Sequence, residues 1–218
     1  HLLVFYTSTI LILLFISVLG ASGSGKSNII NKLIGIPPQS SVDAVACEGT
    51  VSAFARIRKG KCFVFMDTPG FEPLRYKDIL IQLGFIYQKS VRLTGVIYTH
   101  YIMARRTATE EGNLRVLANM CGREAIDQVQ LVTTMWDKAY FSSALWAENE
   151  LKEGFWKSLL EAGACCGRFD NTPESAWAIV ESLGVQKKGL LFQREMVDMG
   201  IDLSKTSAFK EVGHLPKM

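Results

Sequence analysis

The sequence predicts an α/β fold, and three observations predict it. Apolar runs of strand length alternate with stretches of helical period along most of the 218 residues. The run Ile12–Leu19 (ILLFISVL) is continuously apolar, as a parallel strand covered on both faces reads. A glycine-rich turn follows it and opens into an amphipathic stretch, which makes a strand–loop–helix unit.

Composition bounds the rest. At 48% hydrophobic and 21% charged residues the chain is globular, which excludes disorder, collagen-like repeats and a multi-span membrane bundle. The length suits one main domain over residues 11–185, preceded by an apolar extension (1–10) and followed by a C-terminal helix and tail (186–218). Lys and Arg number 24 against 21 Asp and Glu, a net charge of +3 with no basic run, so no nucleic-acid partner is expected. Five cysteines form an odd count without a C-x-x-C pair, which speaks against a disulfide framework or zinc knuckle and for a reducing, cytoplasmic setting.

The first charged side chain is Lys26, and Leu2–Leu19 is almost uninterruptedly apolar. A signal peptide would need a basic start that is missing, and cleavage near Gly20-Ala21 would cut the glycine turn. A bilayer helix would have to stop before Leu11, too soon to span. A buried strand over Ile12–Leu19 remains, and the extension ahead of it is the segment through which membrane association is expected.

The other elements follow in order. Asn28–Leu33 carries Ile29, Ile30, Leu33 and Ile34 at helical spacing and is stopped by Gly35 and Pro37-Pro38. Val51–Ile57 and Cys62–Met66 read as strands joined by a hairpin at Arg58-Lys59-Gly60-Lys61, giving an antiparallel edge. Tyr76–Val91 reads as a helix, Gly95–Tyr101 as a strand, Asn113–Met120 as a helix and Val129–Thr134 as a strand. A helix across Ser143–Leu160, a short strand before Phe169 and a helix over Pro173–Leu183 complete the alternation. Leu190–Met199 is one more amphipathic stretch, after which polar residues are expected to fray.

Three segments carry chemistry. Gly20-Ala21-Ser22-Gly23-Ser24-Gly25-Lys26-Ser27 is a full G-x-x-x-x-G-K-S between strand and helix. Its glycines let backbone N–H groups turn inward around phosphate oxygens, and the helix N-terminus adds positive potential. Gly20, Ser22, Gly23, Ser24 and Gly25, with Lys26, Ser27 and Asn28 opening the helix, are therefore the predicted phosphate-binding set; Lys26 neutralises the β/γ-phosphates and Ser27 offers its hydroxyl to Mg²⁺. Asp67-Thr68-Pro69-Gly70 ends the next strand, where an aspartate can hold a water on Mg²⁺ and the Gly70 amide can meet the γ-phosphate. Thr133-Thr134-Met135-Trp136-Asp137-Lys138 follows a further strand. A carboxylate at Asp137 accepts both the N1–H and the exocyclic amine of guanine, a pattern adenine does not offer. The usual form is N/T-K-x-D, so Met135 keeps the lysine's apolar stem and loses its ammonium.

With GASGSGKS, DTPGF, GVIYTH, TTMWDK and RFDNTPESA in this order, the chain resembles the septin-related branch of translation-factor-type GTPases. Within that branch it is most similar to immunity-associated (IMAP-type) GTPases and to the P-loop GTPase-domain proteins of fungi, over residues 12–208. The resemblance implies a three-layer Ras-like G domain, a P-loop NTPase fold with a mostly parallel six-stranded sheet and helices on both faces. It also implies two nucleotide-sensing switch segments and guanine-linked assembly, here as a homodimer or oligomer through the nucleotide face. Asn171 falls where a fifth guanine-contacting loop stands, although a turn or helix-cap role suits it equally.

The expected activity is slow, Mg²⁺-dependent hydrolysis of GTP to GDP by a nucleotide switch, with Lys26, Thr50 and Gly70 as catalytic residues and Ser27 and Asp67 at the metal. Switch I is irregular: alignment on Cys47 puts Glu48 where threonine belongs, and Thr50 is the nearest residue able to act. Phe71 stands where Ras-like enzymes carry the glutamine that orients the attacking water, hence the slow rate. A GTP/GDP-dependent assembly or scaffold module with little hydrolysis is the alternative, and an ATP-using phosphotransferase is disfavoured by Asp137. His100 is expected to be structural, Arg105-Arg106 to be solvated or to supply a charge-stabilising finger in a dimer, and Cys165-Cys166 to be merely buried.

Overall fold

The computed structural model describes residues 12–35, 51–105, 107–184 and 188–213, and the backbone of three short paired segments. Two of these, β1 (Phe5–Tyr6) and β2 (Thr9–Ile10), pair antiparallel ahead of β3 (Ile12–Gly20). The third, β4 (Val45–Ala46), lies on the sheet edge; the remainder of the 1–10 extension and of the segment from 36 to 50 lies outside the described residues. Among the described residues no helix is long and apolar enough to cross a membrane.

Strand β3 is apolar throughout because both of its faces are covered. Leu14, Ile16 and Val18 point into one core with α1 (Lys26–Ile34) and α6 (Pro173–Ser182). Phe15 and Leu19 point into the other core, with α2 (Tyr76–Gln88) and α3 (Ala108–Cys121). Strands β5 (Ser52–Arg58) and β6 (Lys61–Asp67) form the predicted hairpin, and Lys59 and Gly60 both take positive φ (47° and 70°), the turn whose twist matches the strands. With β7 (Leu93–Tyr101), β8 (Val129–Thr134) and β9 (Cys165–Arg168) the order is β4-β5-β6-β3-β7-β8-β9. Six strands are those predicted, parallel except β5, and the two-residue β4 extends the antiparallel edge. The fold is thus the three-layer, Ras-like arrangement. Because β6 and β7 flank β3 on opposite sides, the crevice at the strands' C-terminal ends opens just beyond Gly20.

Three expectations are corrected. Cys165 and Cys166, expected to be buried, are exposed and half-buried, because β9 is the edge strand of the sheet. The helix expected across Ser143–Leu160 is divided into α4 (Phe141–Glu150), a π-helical turn (Leu151–Phe155) and α5 (Lys157–Glu161). In an unbroken α-helix Leu151 and Trp156, five residues apart, would face directions about 140° apart. The wider turn, closed by the Trp156 N–H on the Leu151 carbonyl at 2.8 Å, brings both into the core, where each is at least 97% buried.

The C-terminal polar stretch expected to fray is instead helical and docked as far as Gly213. After α7 (Leu191–Gln193) and a π-turn (Arg194–Asp198), a short 3₁₀ turn leads into α8 (Ser207–Gly213), which packs on α3. Glu195 accepts from the Ser207 amide (2.9 Å) and hydroxyl (2.6 Å), Arg115 pairs with Glu211 at 2.6 Å, and Ala208 is fully buried. Phe192 is the anchor of this segment, buried in the same core as α2 and α3. Phe192→Ala is therefore expected to lower unfolding free energy by roughly 3–5 kcal/mol, read from the denaturant midpoint.

Candidate functional site

The loop between β3 and α1 is shaped by three glycines at positive φ: Gly20 (142°), Gly23 (75°) and Gly25 (97°). Gly20 has no alternative, since a Cβ there would lie 2.4 Å from both the carbonyl and the hydroxyl of Thr99. Thr99 on β7 is the support of the loop: its hydroxyl lies 2.7 Å from that of Ser24 and donates to the Leu19 carbonyl at 3.1 Å. The GVIYTH segment contains Thr99 but gives it no role; what marks it is its place at the C-terminal end of a strand next to β3.

Lys26, the first residue of α1, is 8% exposed and donates to the carbonyls of Gly20 (2.9 Å) and Ala21 (3.0 Å). Burial lowers its pKa, while the charges of Asp67 and Glu72 oppose that fall. The Ser27 hydroxyl donates to Asp67 Oδ2 at 2.7 Å, joining the two predicted metal residues. Among the described residues the buried Asp67 Oδ1 has no hydrogen-bond partner, and burial raises the pKa of this carboxyl against the Ser27 bond and the Lys26 charge. A buried, unpartnered carboxylate oxygen beside a serine hydroxyl is a donor set that fits a small oxygen-seeking cation such as Mg²⁺.

The turn after Asp67 is bolted to the loop. Thr68 donates to the Val18 carbonyl at 2.7 Å, the Phe71 amide to the Gly20 carbonyl at 2.9 Å, and the Ser22 amide to Glu72 Oε1 at 2.8 Å. Gly70 closes on Ser22 so tightly that a Cβ would meet its hydroxyl at 2.4 Å. Phe71 points away from the crevice, fully buried edge-on against Tyr76 (4.9 Å) and Tyr98 (6.2 Å).

At the far end of the crevice the Thr134 hydroxyl donates to the Ser24 carbonyl at 2.8 Å, fastening the β8 loop to the phosphate loop. Met135 then turns the chain in a left-handed conformation (φ 60°, ψ 38°) into a single 3₁₀ turn, Trp136–Lys138, that presents Asp137 exposed. Trp136 donates to the Thr133 hydroxyl at 3.0 Å and is covered by the Arg168 guanidinium, 4.4 Å from its ring. Arg168 makes two hydrogen bonds to the buried Glu148 carboxylate (2.8 and 2.5 Å), which hold that acid below the usual carboxylate range. This clamp was missed because its members are scattered over α4, β9 and the loop. Asn28 donates to Asn171 at 3.0 Å; Asn171 occupies a positive-φ turn (68°), and the helix-cap role falls to Thr172, which accepts from the Ser175 amide at 3.1 Å.

The structure therefore brings together Gly20, Ser22, Gly23, Ser24, Gly25, Lys26, Ser27, Asn28, Asp67, Gly70, Thr134, Asp137 and Asn171 around one crevice. Thr50, its neighbour Glu48, and Arg106 lie outside the described residues. His100 is buried, 3.7 Å from Glu110 and edge-on to Trp156, an environment of packing.

Toc33 from Arabidopsis thaliana in complex with GDP and Mg²⁺ has a similar structure: TM-score 0.62 and 17% identity, over 82% of this chain and 87% of that one. Toc33 with Mg²⁺ and GMPPNP gives 0.61 and 17%, over 83% and 88%. The bacterial selenocysteine-specific elongation factor EF-Sec is similar at TM-score 0.55 and 16% identity, over 78% of this chain and 27% of that one. At such identities the likeness is one of fold. No curated protein matches the chain. The family model of the 50S ribosome-binding GTPases matches residues 15–135, more than half of the 218, spanning the phosphate loop, the Asp67–Gly70 turn and β8. The chain belongs to this family of P-loop GTPases.

Proposed function

We propose that this chain is a slow GTPase switch of the septin-related, immunity-associated type, binding GTP or GDP with Mg²⁺. The observation that carries slow turnover is Phe71. The position after Asp67-Thr68-Pro69-Gly70 holds no hydrogen-bonding group, and its ring is committed to the core, so no side chain there orients a water. Lys26 and the loop amides stabilise phosphate charge, Gly70 senses the γ-phosphate, Thr50 closes the site from switch I, and Asp137 selects guanine. Ser27 and Asp67 would hold Mg²⁺, which when bound supplies positive charge to the phosphate oxygens. Motif order supports the immunity-associated branch and its fungal relatives; a cysteine set without C-x-x-C spacing supports a cytoplasmic setting.

The second reading, a nucleotide-dependent assembly module, is favoured by the same buried Phe71 and by what is known of a structural neighbour. One Toc33 structure is of a dimerization-deficient mutant, and dimerization is important for the GTPase activity of atToc33 and psToc159. By analogy, a homodimer across the nucleotide face would let Arg105 or Arg106 stabilise transition-state charge in the partner.

Single-turnover hydrolysis of GTP, measured across protein concentration, tests these readings. The expected rate for dilute protein is on the order of 10⁻⁴ s⁻¹, rising with concentration if the dimer assists. A rate many hundredfold faster in dilute protein overturns slow turnover; tight GTP binding without hydrolysis at any concentration establishes the assembly module.

A further inference from the structure

One carboxylate at the phosphate loop is not used by the chemistry above. Glu72 Oε1 accepts the Ser22 amide at 2.8 Å. Ser22 forms the loop's outer lip, and Gly70 crowds it: a Cβ on Gly70 would lie 3.1 Å from the Ser22 nitrogen and 3.0 Å from Glu72 Oε1. Lys26 feels the Glu72 charge together with that of Asp67. The lip, the Gly70 backbone and the lysine thus converge on one corner, the corner assigned above to the γ-phosphate. An anion belonging to the chain already stands there.

We propose that Glu72 is a specificity-determining residue that discriminates triphosphate from diphosphate, by latching the segment 67–72, the second switch segment (switch II), onto the Ser22 amide until a γ-phosphate displaces it. This inference deepens the guanine-nucleotide reading and rests on it. The α- and β-phosphates are received by the amides around Gly25, Lys26 and Ser27 at the N-terminus of α1, away from the lip, so GDP enters beside an undisturbed latch. A γ-phosphate carries up to two negative charges into the reach of the carboxylate, and like charges held that close repel. Glu72 has room to leave. An open cavity of about 360 Å³ adjoins it, with Ala21, Pro73, Arg105 and Glu110 in its walls, and exposed Arg105 offers a cation toward which the departing carboxylate can turn. When it leaves, switch II retains the bonds of Thr68 to Val18 and of Phe71 to Gly20, so the segment pivots on fixed points.

The test compares wild type with Glu72→Gln, which keeps the shape and removes the charge, and with Glu72→Ala. The probes are fluorescent GDP and fluorescent GMPPNP in Mg²⁺, with equilibrium affinity as readout. The GMPPNP-to-GDP affinity ratio is expected to rise about tenfold in both variants. Glu110→Gln, a carboxylate change in the same cavity wall but off the loop, is expected to leave the ratio as in wild type. An unchanged ratio in the Glu72 variants, or an equal rise with Glu110→Gln, overturns the latch while leaving the GTPase reading intact. Failure of the wild-type protein to bind either guanine nucleotide overturns the underlying reading, and the latch with it.

Discussion

Lys26→Ala is expected to reduce GTP affinity by roughly 10³-fold, the scale on which removing one preorganised charge-stabilising donor operates in other sites. The ammonium is the cation of the phosphate loop that the fold holds in place: it stands at the first residue of α1, nearly buried, bound to two loop carbonyls. Burial penalises its charge, and the neighbouring carboxylates Asp67 and Glu72 counter that penalty. A cation whose burial two acids partly offset is ready to be shared with phosphate oxygens, with little reorganisation when they arrive. Removing it leaves the carboxylates facing the nucleotide without compensation, so the loss exceeds that of one hydrogen bond. The fold should tolerate the change: Ile29, Ile30, Leu33 and Ile34 hold α1 in the core without Lys26. Equilibrium binding of fluorescent GTP, alongside thermal unfolding of the apo protein, checks both halves. Retained affinity in a folded variant would place the phosphates elsewhere.

What could be read from the sequence follows from how each feature is encoded. β3, β7 and β8 were legible because a strand covered on both faces must be apolar at every position, and that leaves a run. The phosphate loop was legible because its glycines are imposed by backbone geometry, as the clash at Gly20 illustrates. The hairpin at Lys59-Gly60 announced itself through a residue able to take positive φ. Features defined by partners distant in sequence left no local trace. Thr99 is one of many threonines in strands until the fold sets it under Ser24. The π-turn at Leu151–Phe155 exists because two large side chains five residues apart both need the core, which a regular helical period does not express. The docked α8 looked like a polar tail because Ser207, Lys210 and Glu211 interrupt its apolar residues; Ala208, Phe209 and Val212 nonetheless meet the core. Glu72 followed the motif by two residues and carried no signal of its own until the Ser22 amide was seen to face it.

Asp137→Asn is expected to lower affinity for guanine nucleotides by roughly 10²-fold or more and to raise affinity for xanthine nucleotides. Two charge-assisted hydrogen bonds are at stake, each on the scale of about 1.5–3 kcal/mol. Xanthine carries an oxygen where guanine carries the exocyclic amine, so the amide of asparagine can donate to it where aspartate would repel it. The local structure makes this test sharp. Met135 supplies no ammonium, and of the exposed charged side chains here, Asp137 and Lys138, the carboxylate is the one that can accept from guanine. The turn that presents it is held from both sides, by Thr134 on the phosphate loop and by Arg168 over Trp136, with Glu148 behind. An exposed side chain on so firmly held a turn can be exchanged with a stability change within about 0.5 kcal/mol, so any loss of binding reports recognition and not unfolding. Competition of fluorescent GDP by unlabelled GDP and XDP measures the exchange. If the variant still prefers GDP, the base is read by another group, and Asn171 with its partner Asn28, across the crevice on α1, becomes the pair to alter next.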